Sequence, residues 1–93
     1  MVKHIVMWKL RERTDAIPIK ASLEALVGRV PGLLNIEVGI DFLHSEQSAD
    51  LVLVAELADR AALDTYQQHP EHQAVAPLLK AAAIARMVAD YDC

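Results

Sequence analysis

In four short segments of the chain, successive side chains alternate between two faces of different character. The order of these segments constrains the fold more than any other feature. They are residues 2–10, 33–42, 51–57 and 84–92. Alternation with a period of two is typical of β-strands. It is clearest in 33–42, which predicts that Leu34, Ile36, Val38, Ile40 and Phe42 share one face. The segment 51–57 is apolar on both faces as far as Glu56, which is typical of a strand covered on both sides.

A helix is predicted between the first two strands. Thr14 and Asp15 are suitable N-cap residues, and Pro18 fits a helix start, where its missing N–H costs little. Apolar residues then recur at helical spacing as far as Val30. Pro31-Gly32 is expected to end this helix.

More helical structure is predicted between the last two strands. Asp59 can cap a helix that runs to about Gln68. Pro70 can open a new helical turn as its first residue, and Pro77 interrupts the pattern again. We therefore expect residues 71–83 to form two short helical pieces.

The element order β-α-β-β-α-β predicts an α+β fold of the ferredoxin-like kind, a four-stranded antiparallel sheet with its helices on one face. With 93 residues the chain is expected to form one domain, residues 1–93. The other sheet face would carry Ile5, Met7, Val52 and Val54, and 54% of the chain is hydrophobic. An uncovered apolar face predicts a second sheet packed against it, and hence a homodimer.

Charge and composition argue against several functional classes. Nine basic residues stand against thirteen acidic ones, for a net charge of −4, so nucleic-acid binding is not expected. No stretch is long and apolar enough to span a membrane, and Lys3 and Lys9 interrupt the N-terminal run, unlike a signal peptide. The single cysteine, Cys93, favours a reducing cytoplasm. The sequence contains no phosphate-binding loop and no haem or flavin signature, so no cofactor is expected.

Several segments together resemble the stress-responsive dimeric α/β-barrel (Dabb) family. They are VKHIV, IEVGID, DLVLVAEL, YQQHPEHQAV and RMVADYD, and the resemblance runs from Val2 to about Asp92. The most specific part is Tyr-x-x-His-Pro-x-His. The resemblance implies a homodimer that forms a barrel from two ferredoxin-like protomers.

The family includes a plant polyketide cyclase that performs an intramolecular aldol condensation. By motif, its proposed base corresponds to His72, its assisting tyrosine to Tyr66, and the family's first-strand histidine to His4. The cyclase has a further histidine at the start of the third strand, where this chain has Leu51. An apolar residue there removes a polar group from the site that the resemblance implies.

The residues themselves predict how these three groups would act. His72 follows Pro70 at a helix start, where the helix dipole disfavours a positive imidazole, so it would serve as a neutral base. Tyr66 would donate a hydrogen bond to a carbonyl oxygen, and His4 would orient the substrate. We expect them to meet between sheet and helices, around an apolar carbonyl compound. The predicted binding residues are Trp8, Leu63, His69 and Val75.

An architectural interpretation of the same motif stays open. Pro70 would separate two helices, His69 would cap the second, and His72 would fill a half-buried gap. The protein would then be a non-catalytic, stress-responsive or structural dimer, and such dimers could stack into larger rings. A metal at His69 and His72 is not expected, because Pro70 splits their spacing across a helix boundary.

Three further polar positions have simpler predicted roles. His44 should be solvated in its polar loop. Asp90 and Asp92 should pair with basic residues or face water. Arg86 is predicted to bridge to a carboxylate across the dimer.

Overall fold

The chain folds into four strands and three helices, and the computed structural model describes all of residues 1–93. The strands are β1 (Val2–Leu10), β2 (Leu33–Ile40), β3 (Leu51–Leu57) and β4 (Ala83–Asp92). The helices are α1 (Ala16–Glu24), α2 (Arg60–Gln68) and α3 (Pro70–Ala82), and a 3-10 turn (Arg13–Asp15) leads into α1.

The strands form one antiparallel sheet in the order β2-β3-β1-β4. The strand β1 lies inside the sheet, between β3 and the edge strand β4. His4 is paired with Ala55 on one side and with Asp90 on the other. This topology confirms the predicted α+β, ferredoxin-like fold.

The core lies between the inner face of the sheet and the helices. It contains 20 buried apolar residues. The lysine-free face of β1 points inward as predicted, because His4, Val6, Trp8 and Leu10 are all buried. The strand β4 adds no buried residue, so the helix side of this sheet edge is open. None of the helices is long and apolar enough to cross a membrane.

The helix α1 ends earlier than the apolar spacing predicts. Leu26 and Val30 are buried, but they lie in a series of tight turns that follows Glu24. The N–H of Leu26 donates to the carbonyl of Leu23, three residues back, as in a 3-10 turn. Gly28 then takes a φ of 86°, which ends any right-handed helix. The apolar residues therefore keep helical spacing beyond the end of the helix.

The prediction of two short pieces for residues 71–83 is wrong, because α3 is one helix with Pro77 inside it. A proline removes one N–H from the helical hydrogen bonds, which weakens the helix without necessarily ending it. Val75 and Leu79, on either side of Pro77, are both buried and hold this segment against the core. Tertiary packing thus outweighs the local preference.

The face assignment along β2 also needs correction. A register shift between Leu33 and Asn35 places Leu33 in the core with Ile36 and Val38, and leaves Leu34 exposed. Such a bulge reverses the alternation locally. The strand ends at Ile40, so Phe42, which was predicted on the same face, is 89% exposed.

Candidate active site

A cavity of about 840 Å³ opens between the sheet and α3. The three helices and every strand except β2 contribute to its wall, and ten of its sixteen lining residues are hydrophobic. They are His4, Val6, Trp8, Leu23, Leu53, Tyr66, His72, Gln73, Ala76, Pro77, Leu79, Lys80, Ala83, Ile84, Ala85 and Arg86. Mostly apolar walls with a few polar groups are typical of small-molecule sites.

His4 is held in this wall by a carboxylate from the neighbouring strand. The register of β1 and β4 places His4 opposite Asp90, and Nδ1 of His4 forms a close hydrogen bond with Oδ1 of Asp90. Because a carboxylate only accepts hydrogen bonds, Nδ1 of His4 is the donor in this contact. The other ring nitrogen, Nε2, is not used in it, and the contact fixes the ring orientation, as in other carboxylate–histidine pairs.

Tyr66 lies between the two histidines of the cavity. Its ring centroid is 5.9 Å from that of His4 and 4.5 Å from that of His72. Tyr66 is only 1% exposed. Its hydroxyl is not among buried polar atoms that lack a hydrogen-bond partner, because the structure has none. Burial raises the pKa of Tyr66 to about 12, so its hydroxyl remains protonated at neutral pH. Tyr66 can therefore donate a hydrogen bond but cannot act as a base.

His72 stands at the start of α3 with one ring nitrogen free. Its Nδ1 lies 3.2 Å from the carbonyl oxygen of Gln67, which can only accept, so neutral His72 carries its proton on Nδ1. Burial is the main cause that lowers the pKa of His72, and the nearby His4 and Arg86 lower it further. The Gln67 carbonyl acts in the opposite direction. His72 is therefore neutral at pH 7, with the Nε2 lone pair available.

The cause of this neutrality differs from the one expected from the sequence. The helix N-terminus was the predicted reason, whereas desolvation has the largest effect on the pKa in the folded chain. His72 is half-buried by its neighbours, and Tyr66 is the nearest aromatic ring.

Four of the seven residues predicted for the site line one cavity: His4, Trp8, Tyr66 and His72. The other three lie elsewhere, each for a structural reason.

Leu63, Val75 and His69 are outside the cavity wall. Leu63 borders a separate recess together with Val2 and Asp92. Val75 points into the core. Nδ1 of His69 accepts the backbone N–H of Glu71 at 3.1 Å, so His69 is the N-cap of α3. The ring of His72 also contacts a backbone group, and no group of three or more potential ligands is placed to hold a metal ion.

The structure also adds residues that the sequence did not assign to the site. Asp90 contacts His4, whereas only a generic basic partner or water was expected for it. Arg86 lines the cavity, and the bridge across the dimer that the sequence predicted for it stays a prediction. Lys80 and Gln73 project from α3 into the same cavity. Arg86 and Asp90 both come from β4, because the strand register pairs Trp8 with Arg86 and His4 with Asp90.

Solved structures with the same fold include proteins from bacteria and plants. A dimeric ferredoxin-like protein of unknown function from Thermobifida fusca has a TM-score of 0.88 at 21% identity, covering 99% of this chain and 90% of that one. A dimeric protein of unknown function from Bacteroides fragilis has a TM-score of 0.82 at 27% identity, covering 99% and 95%. A hydroxynitrile lyase from Passiflora edulis has a TM-score of 0.83 at 16% identity, covering 97% and 90%.

The sequence itself shows the family. A comparison with curated protein sequences gives no significant match. The model of Dabb, the Stress responsive A/B Barrel Domain, matches residues 2–93. The match includes all four strands and the His-Pro-x-His element at the start of α3. This chain therefore belongs to the stress-responsive A/B barrel (Dabb) domain family.

Proposed function

We propose that this protein is a homodimeric enzyme that binds an apolar carbonyl compound in the cavity and moves a proton on it by acid–base catalysis. One observation carries the proposal: the rings of His72 and Tyr66, with centroids 4.5 Å apart, line the same apolar cavity. Burial lowers the pKa of His72 and raises that of Tyr66, which favours a neutral imidazole beside a protonated hydroxyl. These are the base and the hydrogen-bond donor that an enolisation needs.

The proposed step begins at the carbon next to the carbonyl group. Nε2 of His72 takes a proton from this carbon, and the released electron pair moves through the new C=C bond to the carbonyl oxygen. The Tyr66 hydroxyl stabilises the resulting enolate by donating a hydrogen bond. The enolate carbon then takes back a proton from His72, or it attacks a second carbonyl group, whose oxygen takes the proton from His72, as in an aldol reaction.

His4 has a positioning role in this proposal. Its Nδ1 is occupied by Asp90, so its ring orientation and tautomer are fixed. Its edge faces Tyr66 with an interplanar angle of 66°. In this way, His4 limits where Tyr66 and a bound carbonyl group can lie.

The protomer fold is compatible with a lyase-type reaction and does not name the substrate. The same protomer fold occurs in the hydroxynitrile lyase of Passiflora edulis, although fold alone does not define activity. Leu51 is buried beside Trp8 in the sheet and lies outside the cavity lining, so β3 offers no imidazole. We therefore propose that the substrate differs from that of the family's plant cyclase.

The homodimer is proposed from the outer face of the sheet. Met87, Met7 and Val52 are neighbours across three strands, and the next row contains Ile5 and Val54. These side chains form an apolar patch with no helix over it. Related structures from Thermobifida fusca and Bacteroides fragilis are dimeric, which supports a homodimer.

Hydrogen–deuterium exchange tests the catalytic proposal. Apolar ketones and aldehydes are incubated with the protein in D₂O, and loss of the α-proton signal is followed by NMR. His72→Asn should reduce exchange by about 10²-fold or more, and Tyr66→Phe should also slow it. His44→Asn, in an exposed loop, is the matched control. Equal exchange rates in wild type and His72→Asn would contradict the proposal.

A second candidate is a non-catalytic dimer in which His-Pro-x-His is architectural. The observation in its favour is that His69 caps α3 and that His72 contacts the Gln67 carbonyl, so both rings support the α2–α3 junction. In that case His72→Asn would change the free energy of unfolding, and no carbonyl compound would exchange faster with protein than without it.

A further inference from the structure

We infer that the substrate is an oxo acid, whose carboxylate is bound by Arg86 and Lys80 while its carbonyl group lies beside Tyr66 and His72. This inference rests on the proposed function, because it names the substrate class of the same cavity.

The charge of the cavity wall is opposite to that of the protein. The chain has thirteen acidic residues and a net charge of −4. None of the residues that line the cavity is acidic, and two of them, Lys80 and Arg86, are cations. Asp90, the carboxylate that contacts His4, borders a different recess, so the charged groups of the lining itself are positive and attract anions locally.

Both cations lack an ion-pair partner within the protomer. The ion pairs of the chain involve other basic residues, including Arg13, Arg29 and Arg60, and leave Arg86 and Lys80 free. Their neighbours in the wall are apolar or neutral, among them Ile84 and Gln73. Two free cations next to apolar surface fit a ligand that carries its own negative charge.

The two cations lie at a distance from the histidines, so the carboxylate of the substrate would lie away from its reacting carbon. Lys80 lies eight residues after His72 on α3, about 12 Å along the helix axis. Arg86 pairs with Trp8, four residues from the position on β1 that holds His4, which is about 13 Å along the strand. Their long side chains can reach back toward the histidines, and the charge of Arg86 already acts on His72. The wall between is apolar, so we infer an apolar spacer between the two groups of the substrate.

Arg86 is exposed in the protomer, and an arginine suits this role better than a lysine does. Its planar guanidinium can bind both oxygens of a carboxylate with two parallel hydrogen bonds. Lys80 also lies in the last turn of α3, where a cation is favourable for the helix dipole alone. The dipole does not explain Arg86, which projects from a strand.

Binding of matched ligands tests the inference on the full-length protein. The probes are octanoate and octanamide, which have the same length and differ in charge. Affinities are measured by calorimetry, and occupancy is followed by the fluorescence of Trp8, which is the only tryptophan and lines the cavity. Octanoate should bind about tenfold more tightly than octanamide at low salt, and added salt should reduce the difference.

Substitutions locate the anion site. Arg86→Gln and Lys80→Gln should each weaken octanoate binding, and the double variant should abolish the preference while octanamide binds as before. Arg29→Gln removes the same charge outside the cavity, at an exposed ion pair with Glu71, and should leave the preference intact.

Three outcomes would overturn the inference. Equal binding of octanoate and octanamide by the wild type would contradict the inferred carboxylate of the substrate. It would not contradict the apolar cavity or the proposed function. A preference that survives in the double variant would show that other groups bind the anion. Failure of both ligands to bind would refute the inference together with the cavity proposed for the substrate.

Discussion

At the scale of single residues, the candidate site contains two histidines with different surroundings. His4 is buried against the Asp90 carboxylate, and His72 is half-buried against a backbone carbonyl. Both contacts use Nδ1 and leave Nε2 free. The motif predicted the histidines and Tyr66, whereas Asp90 is 86 residues from His4 and becomes its partner only through the β1–β4 register. A register between distant strands cannot be read from local alternation.

The His4–Asp90 contact leads to the first prediction. Asp90→Ala leaves the Nδ1–H of buried His4 without its acceptor, and this should lower the free energy of unfolding by about 1–2 kcal/mol. The low end of the usual range applies because the Asp90 side chain is 37% exposed, so water can replace it in part. Denaturant unfolding measures the change.

Asp92→Ala is the matched control for this prediction. Asp92 pairs with Arg60 on the surface, and this pairing lowers the pKa of Asp92. Exposed ion pairs contribute little to stability, so no resolvable change is expected. If the two variants unfold alike, Asp90 does not hold His4.

The second prediction concerns pH. Burial lowers the pKa of His72 below its ordinary value of 6.5, so the unfolded chain binds this proton at a higher pH than the folded chain. His72 thus contributes stability above pH 6.5 that is lost as the pH falls through its folded-state pKa. The difference in unfolding free energy between wild type and His72→Asn should therefore shrink over this acidic range.

Two measurements check the pH dependence. Denaturant unfolding between pH 4.5 and 8 gives the stability difference, and an NMR titration of the imidazole protons gives the pKa of His72 directly. A folded-state pKa at or above 6.5 would contradict both the prediction and the use of His72 as a neutral base at lower pH.

At the scale of elements, the sequence predicted those segments whose local pattern agrees with their packing. The strands β1 and β3 have the predicted bounds, and α2 begins at its predicted cap, where the Asp59 side chain accepts the N–H of Ala62. Errors arose where packing or backbone geometry overrides the pattern. Examples are the tight turns around Gly28 and the bulge in β2. These features depend on φ angles and strand register, which apolar spacing does not report.

The third prediction tests the proline inside α3. Pro77→Ala restores an N–H to the helix and removes the clash with the preceding turn, so it should raise the free energy of unfolding by about 1–3 kcal/mol. Pro70→Ala is the control with the opposite sign, because proline fits the first helical position and stiffens the unfolded chain. It should lower stability by up to about 1 kcal/mol. Thermal and denaturant unfolding measure both, and a loss of stability in Pro77→Ala would show that the proline is needed for the packing of α3.

At the scale of the whole molecule, the protomer has one sheet face covered by helices and one face without cover. A domain of 93 residues buries a limited share of its surface, so an uncovered apolar face reduces its stability. On that face Met7 is 40% exposed and Met87 is 69% exposed. Lys3 and Lys9 lie further along β1 on the same face and leave the centre apolar. This arrangement favours a twofold interface with an apolar centre and a charged rim.

The last prediction follows from this face. Met7→Glu places a carboxylate at the centre of the proposed interface, where it would be desolvated beside its symmetry mate, so the dimer Kd should rise by at least about a hundredfold. Ile17→Glu, on the exposed side of α1, makes the same change away from the sheet and should leave the dimer intact. Sedimentation equilibrium measures both, and the melting temperature of the wild type should rise with protein concentration while that of Met7→Glu should not. A wild type that sediments as a monomer, or a Met7→Glu variant that dimerises as well as wild type, would mean that this sheet face is not the interface.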